Sequence, residues 1–206
     1  MKTLLQLNSS LFSGAGQSSR LADDFVAVWR KANPAGQVVV RDLASDPVPH
    51  LSAERFLSFL AKPGERSSAQ QAVVEHSDAL IEEIKRADVI VIGLPMYNFG
   101  LPSTLKAYFD HIARAGVTFR YTDKGAVGLL TGKKAYVFAT RGGKYAGTVL
   151  ESQTPFVRQF LNFVGIEDIE FIYAEGLAIS EASKEAGIAE AKRAIERVSA
   201  KQPLAA

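Results

Sequence analysis

The chain has 206 residues, of which 47% are hydrophobic and 22% charged, with a formal net charge of +2 and no cysteine. That is an ordinary globular composition, enough for one large unit or two small ones with a substantial core. It excludes disulfides, thiolate catalysis and cysteine-held metals; the interspersed charges show no basic stripe for nucleic acid.

The opening "MKTLLQLNSS" is too short an apolar run to span a membrane and is followed by no small-residue cleavage site, so it reads as a first strand in a cytoplasmic protein. "SSRLADDFVAVWRKANP" sets Leu21, Phe25, Val28 and Trp29 at helical spacing, with Pro34 beyond the end. "QVVVRDL" is a short β-branched strand, and the two prolines of "SDPVPHLS" mark a loop. Helices are predicted over "AERFLSFLA" and "SAQQAVVEHSDALIEEIKRA", then a third strand from Asp88 to Leu94. A helix follows Pro102. "VTFRYTDKGAVGLL" has strand-like residues on both sides of "DKG" and reads as a β-hairpin. "KKAYVFAT" is a fourth main strand, "TVLESQTPFVRQFLNFVGI" mostly helix with Pro155 in its first turn or at its true start, and "DIEFIYAEGL" a fifth strand. The charged "SEASKEAGIAEAKRAIERVSAK" is a terminal helix. No linker or repeat divides the chain, so residues 1–206 are expected to form one unit. The histidines His50, His76 and His111 lack metal-ligand spacing and read as solvent-facing or capping residues.

Five strands alternating with helices predict an α/β protein with a mainly parallel sheet. Two doubly wound orders are common, 3-2-1-4-5 and 2-1-3-4-5, and both bind ligands beyond the carboxyl ends of the strands. Three loops at that edge carry chemistry. "NSSLFSGAGQSSR", after strand one, offers hydroxyls and N–H groups at a helix start, a phosphate cradle that is neither a P-loop nor a dinucleotide fingerprint. The alternative is that Ser18 or Ser19 simply caps the helix. "LPMYNFGLPSTLK", after strand three, sets Met96, Tyr97 and Phe99 around one amide, Asn98. "ATRGGKY", after strand four, places Thr140 and Arg141 beside Gly142 and Gly143.

A flat amphipathic ligand fits all three loops: a phosphate on the serines, a planar ring on Met96, Tyr97 and Phe99, and polar ring edges on Asn98 and the Thr140–Gly143 backbone. FMN has this anatomy. From spacing alone, those aromatics serve a core or protein interface equally well.

"SSLFSGAGQS", "VRDLASDPVP", "PMYNFGLPSTLKAYFDHIARAGVTFRYT", "GLLTGKKAYVFATRGG" and "FLNFVGI…YAEG" span most of the chain. In this order they resemble the FMN-dependent NADH-azoreductase family of flavodoxin-like quinone reductases, with P-M-Y-N-F followed by A-G-V-T-F as the specific signature. The resemblance implies a flavodoxin-like sheet of order 2-1-3-4-5 with an inserted hairpin, non-covalent FMN, and a homodimer with shared active sites. It also implies NADH or NADPH as donor and quinones or azo compounds as acceptors, the two alternating by ping-pong hydride transfer through the flavin.

By resemblance, Ser10, Gly16, Gln17 and Ser18 hold the phosphate. Pro95, Met96, Tyr97, Asn98 and Phe99, with Thr140, Arg141, Gly142 and Gly143, hold the ring. Phe163 matches a family pocket position; the hairpin itself reads as projecting Phe119 and Tyr121 toward a partner's flavin, and these three with Phe99 are expected to line the substrate pocket. The family often has serine at Gly16, where a hydroxyl is lost but the N–H kept, and serine at Thr140. No acid, base or metal is assigned, because the cofactor carries the reaction. The rival reading is a flavodoxin-like electron carrier without turnover of its own; such carriers are usually strongly acidic, unlike this chain. Lys62 and Arg66 could reach a nucleotide 2′-phosphate, but read better as solvated surface charges.

Overall fold

The computed structural model describes residues 1–200; the tail from Lys201, with which the expected terminal helix closes, lies outside the described residues. In chain order the elements are β1 (Thr3–Asn8), α1 (Gln17–Ala32), β2 (Gln37–Asp42), α2 (Ala53–Leu60), α3 (Ser68–Arg86), β3 (Val89–Pro95) and α4 (Ser103–Ile112). They continue through β4 (Phe119–Thr122), β5 (Gly125–Gly128), β6 (Lys134–Thr140), α5 (Gln153–Val164), β7 (Asp168–Ala174) and α6 (Glu181–Ala200). The main sheet is parallel throughout, in the order β2-β1-β3-β6-β7. With the antiparallel hairpin β4–β5 set aside, this is the predicted 2-1-3-4-5 order.

Strand side chains alternate between faces, and the two cores divide accordingly. Leu5 and Leu7, Ile90 and Ile92, and Val137 and Ala139 pack with α3, α4 and α5. Leu4, Val91, Tyr136 and Phe138 face the other way, onto Leu21, Phe25 and Trp29 of α1 and Ala191 and Ile195 of α6. Both faces being covered, the strands are nearly continuous apolar runs, as buried parallel strands require. Side chains fix several helix ends. Ser67 and Gln70 close a capping box on α3, and Gly165, at φ 102°, ends α5 in a conformation that strongly favours glycine. Pro155 stands in the first turn of α5, where its missing N–H costs nothing.

The register aligns the strand ends. Asn8 pairs with Gly93, and Pro95 and Ala174 flank Thr140, so the loops after β1, β3 and β6 leave one edge together. Three expectations need correction. On α1, Val26 is buried and Val28 exposed, because the buried stripe follows Leu21, Ala22, Phe25 and Trp29. His111 is fully buried rather than solvent-facing, since α3 packs on α4 and Phe59 covers its ring. Phe119 stands beside Tyr121, its ring edge-on at 5.5 Å, but it does not project: it is buried, with its ring 4.3 Å from that of Phe163 in the same chain.

Candidate active site

The loop after β1 turns at once. Ser9 Oγ donates to the Gly93 carbonyl (2.6 Å), Ser10 Oγ accepts from the Phe12 N–H (3.2 Å), and a 3-10 turn over Ser13–Ala15 delivers the chain to Gly16. A Cβ on Gly16 would stand 2.1 Å from Ser10 Oγ and 2.5 Å from Ser10 Cβ, so with Ser10 placed as it is in this chain the loop has room only for glycine. The Gly16 N–H is not the free donor the sequence suggested, because it donates to the Ser13 carbonyl (3.2 Å).

Behind Gly16, α1 starts without a cap. Its first intrahelical bond runs from Arg20 N–H to Gly16 O, which leaves the N–H groups of Gln17, Ser18 and Ser19 without acceptors among the described residues. Ser18 and Ser19 do not cap it: both side chains are buried in the first turn and neither Oγ has a partner among the described residues. Three open donors and two orphaned hydroxyls at the positive end of a 16-residue helix are a fit for a phosphate. Gly93 lets the turn sit directly on β3, since a Cβ there would lie 3.3 Å from the Ser18 carbonyl.

The loop after β3 is a tight hairpin. Met96 N–H continues the sheet by donating to the Thr140 carbonyl (2.9 Å), and Tyr97 and Gly100 exchange backbone bonds of 3.0 and 2.9 Å. Between them Asn98 (φ 49°) and Phe99 (φ 63°) are left-handed, which asparagine tolerates and phenylalanine does not. The surroundings impose this geometry. Gln153 Nε2 donates to the carbonyls of Pro95 (2.8 Å) and Gly100 (3.2 Å), and Ser152 Oγ donates to that of Phe99. Tyr97 links two loops, its hydroxyl accepting from the Leu11 N–H (3.2 Å) and lying 3.4 Å from Ser10 Oγ. Phe99 is 53% exposed, ready to face a ligand.

In the loop after β6, Thr140 is buried at the strand end and Arg141 turns inward. Its guanidinium is 1% exposed, ion-paired to Glu151 and to Glu175 (3.1 Å), bonded to Thr154 Oγ1 (2.9 Å) and seated over the Tyr173 ring. The Arg141 side chain is thus unavailable to a ligand, a correction to its reading as a polar contact. Burial pushes the Glu151 carboxyl up, but the Thr154 N–H and the Arg141 guanidinium outweigh it and hold it below the ordinary range. The carbonyls of Gly142 and Gly143 accept from Ala178 (3.0 Å) and Gly176 (2.8 Å); their N–H groups find no acceptor among the described residues and remain for a ligand's polar edge.

The fold therefore gathers Ser10, Gly16, Gln17, Ser18, Pro95–Phe99 and Thr140–Gly143 at one edge. It does not bring Phe119, Tyr121 and Phe163 there. Phe163 lies ten residues along α5 from Gln153, about 15 Å at the helical rise, and Phe119 sits against it. Tyr121 is 75% exposed. Lys62 pairs with Glu65 (3.4 Å), and the Arg66 guanidinium donates to the Ala61 carbonyl (3.1 Å). The sequence offered Ser19 only as a helix cap; its buried, unpartnered hydroxyl beside that of Ser18 instead places it with the phosphate loop, as the repeated serine signals.

The family model described as flavodoxin-like fold matches residues 1–198. The FMN-dependent NADH:quinone oxidoreductase of Cellvibrio japonicus is 55% identical over 197 residues, covering 96% of this chain and 98% of its own. The protein of the same name from Burkholderia pseudomallei (strain K96243) is 50% identical over 198 residues, covering 96% and 100%. Among solved structures, the azoreductase AzrA superposes with a TM-score of 0.89 at 27% identity, over 97% of this chain and 100% of its own. An FMN-dependent NADH-azoreductase from Bacillus anthracis in complex with FMN does so at 0.85 and 26%, over the same shares.

Proposed function

Because the chain belongs to the flavodoxin-like fold family, we propose that it is an FMN-dependent NADH:quinone oxidoreductase that also reduces azo compounds. The relatives carry that activity in their names. The observation that carries the reading to this chain is the uncapped start of α1, with buried, unpartnered Ser18 and Ser19 hydroxyls beside an aromatic hairpin. Those residues suit FMN's phosphate and ring. FMN, when bound, supplies reversible hydride chemistry, so the protein needs no nucleophile of its own.

The chain's part is placement. Ser10, Gln17, Ser18 and Ser19 anchor the phosphate; Pro95, Met96, Tyr97, Asn98 and Phe99 support the ring; the Gly142 and Gly143 N–H groups meet its polar edge, where donors favour negative charge. Thr140 and Gly16 shape the backbone around them. A single stacking surface makes NADH and acceptor alternate. The chain acts as one cytoplasmic unit and as a homodimer, with Tyr121 and Phe163 of each copy completing the other's site and the buried Phe119 backing them; the exposure of Tyr121 and its remoteness from its own loops support this. No helix among the described residues is long and apolar enough to cross a membrane.

The test is direct. Purified protein should bind FMN, with a yellow spectrum, and oxidise NADH steadily when a benzoquinone is added. Double-reciprocal lines should be parallel. Bound flavin without quinone turnover would instead identify an electron carrier.

A further inference from the structure

We propose that Glu175 and Arg141 are positioning residues that hold Tyr145 as an aromatic wall of the flavin-ring site, beside Phe99. The inference rests on the FMN reading above and extends it to Tyr145 and Glu175, outside the ring loops, and to the buried side chain of Arg141.

Glu175 lies in the connection between β7 and α6, 30 residues beyond Tyr145. One carboxylate oxygen, Oε1, accepts from the N–H groups of Tyr145 (2.8 Å) and Ala146 (2.9 Å) and from Arg141 Nη1 (3.1 Å). Two successive backbone donors on one charged acceptor fix the direction of the chain leaving Gly143. Arg141 holds the carboxylate in turn. Its own backbone is tied to Ala174 (2.9 Å) and Leu177 (3.1 Å), and its guanidinium reaches Glu151 and Thr154 at the far end of the same loop. Both ends of the segment from Gly142 to Thr154 thus hang on one buried cation.

That arrangement folds Tyr145 back over Gly143. A Cβ on Gly143 would stand 2.6 Å from the Tyr145 hydroxyl and 2.7 Å from Cζ, so the ring occupies the space a side chain would fill. The Tyr145 ring stands edge-on to Phe99, with centroids 5.6 Å apart. It therefore joins the loops after β3 and β6, next to the two N–H groups left for the ring's polar edge. No hydrogen bond engages its hydroxyl among the described residues; the ring face is what the geometry presents.

The test uses the full chain, titrated with FMN after its flavin is stripped and then probed by iodide quenching of the bound flavin's fluorescence. Tyr145→Ala should weaken FMN by about five- to tenfold, the worth of one aromatic contact, and make the flavin more accessible to iodide. Tyr145→Phe should match the wild type, since the ring and not the hydroxyl acts. Glu175→Ala should reproduce Tyr145→Ala, and Glu175→Gln, whose amide oxygen still accepts both N–H groups, should recover most of the loss. The double variant should be no worse than the poorer single, because one residue acts through the other. Additive losses, or Tyr145→Ala with wild-type affinity and quenching, would overturn the positioning role. A wild-type chain that takes up no FMN would sink the underlying reading instead.

Discussion

Gly16 shows how a single position can be misjudged when hydroxyls are counted. Read from the sequence, glycine there loses a serine's phosphate contact. In the fold there is no room for that serine, because Ser10 Oγ fills the space at 2.1 Å from a would-be Cβ. Ser10 in turn carries the Phe12 N–H and stands beside the Tyr97 hydroxyl, so a side chain at 16 disturbs three groups at once. Gly16→Ala should weaken FMN about tenfold, the equivalent of one hydrogen bond lost. Riboflavin, which lacks the phosphate, should be affected far less in the same fluorescence titration. Equal losses for the two ligands would place the effect away from the phosphate. Phe99 departs from local preference in a similar way: left-handed backbone at a phenylalanine persists because Gln153 and Ser152 fasten the carbonyls around it.

At the scale of elements, the packing of α2, α3 and α4 has created a buried histidine. His111 Nδ1 is 2.9 Å from the Ala107 carbonyl, while Nε2 is buried without a partner among the described residues. The His76 ring stands edge-on at 6.1 Å, Phe59 at 5.9 Å, and Arg114 covers Phe59. Burial pushes the His111 pKa down from 6.5; His76 and Arg55 add to this, against the Ala107 carbonyl and Asp110. The unfolded chain therefore takes up the proton more readily than the native one, and stability contributed here is lost as the pH falls below about 6.5. Thermal melts from pH 7.5 to 5.5 should decline more steeply for the wild type than for His111→Gln. Equal slopes would mean that His111 titrates as it does in the unfolded chain.

The whole molecule presents more apolar surface than its sheet and helices use. Tyr121, Phe99, Val149 and Leu150 are exposed, as are Phe56, Leu57 and Leu60 on α2, and a cavity of about 290 Å³ lies among Phe156, Gln159, Phe160 and Phe163. A two-fold arrangement would set the exposed Tyr121 hairpin of one copy against the ring site of the other. Sedimentation should show a dimer. Tyr121→Ala should change acceptor kinetics more than FMN affinity. Mixing that variant with an FMN-binding-deficient one should raise activity per bound flavin above that of the Tyr121 variant alone. A fully active monomer in the ultracentrifuge would refute shared sites.

What the sequence determined by itself was whatever depends on near neighbours or on the period of the apolar pattern. Continuous apolar runs in "TLLQLN", "ADVIVIG" and "KKAYVFAT" are the signature of strands covered on both faces, and "DKG" between β-formers marks a hairpin. Loop positions follow from strand ends, so the serines, the aromatic hairpin and the paired glycines could be assigned to one edge. Tertiary structure decided the rest, because contacts between segments far apart in the chain leave no local trace. Arg141 looks in sequence like a ligand contact beside two glycines, yet Glu151 and Glu175 claim it. Phe119 looks like a projecting hairpin residue until Phe163 covers it, and His111 like a surface histidine until α2 and α3 close over α4. A side chain's destination is set by the partner that desolvates it, and that partner is chosen by the fold.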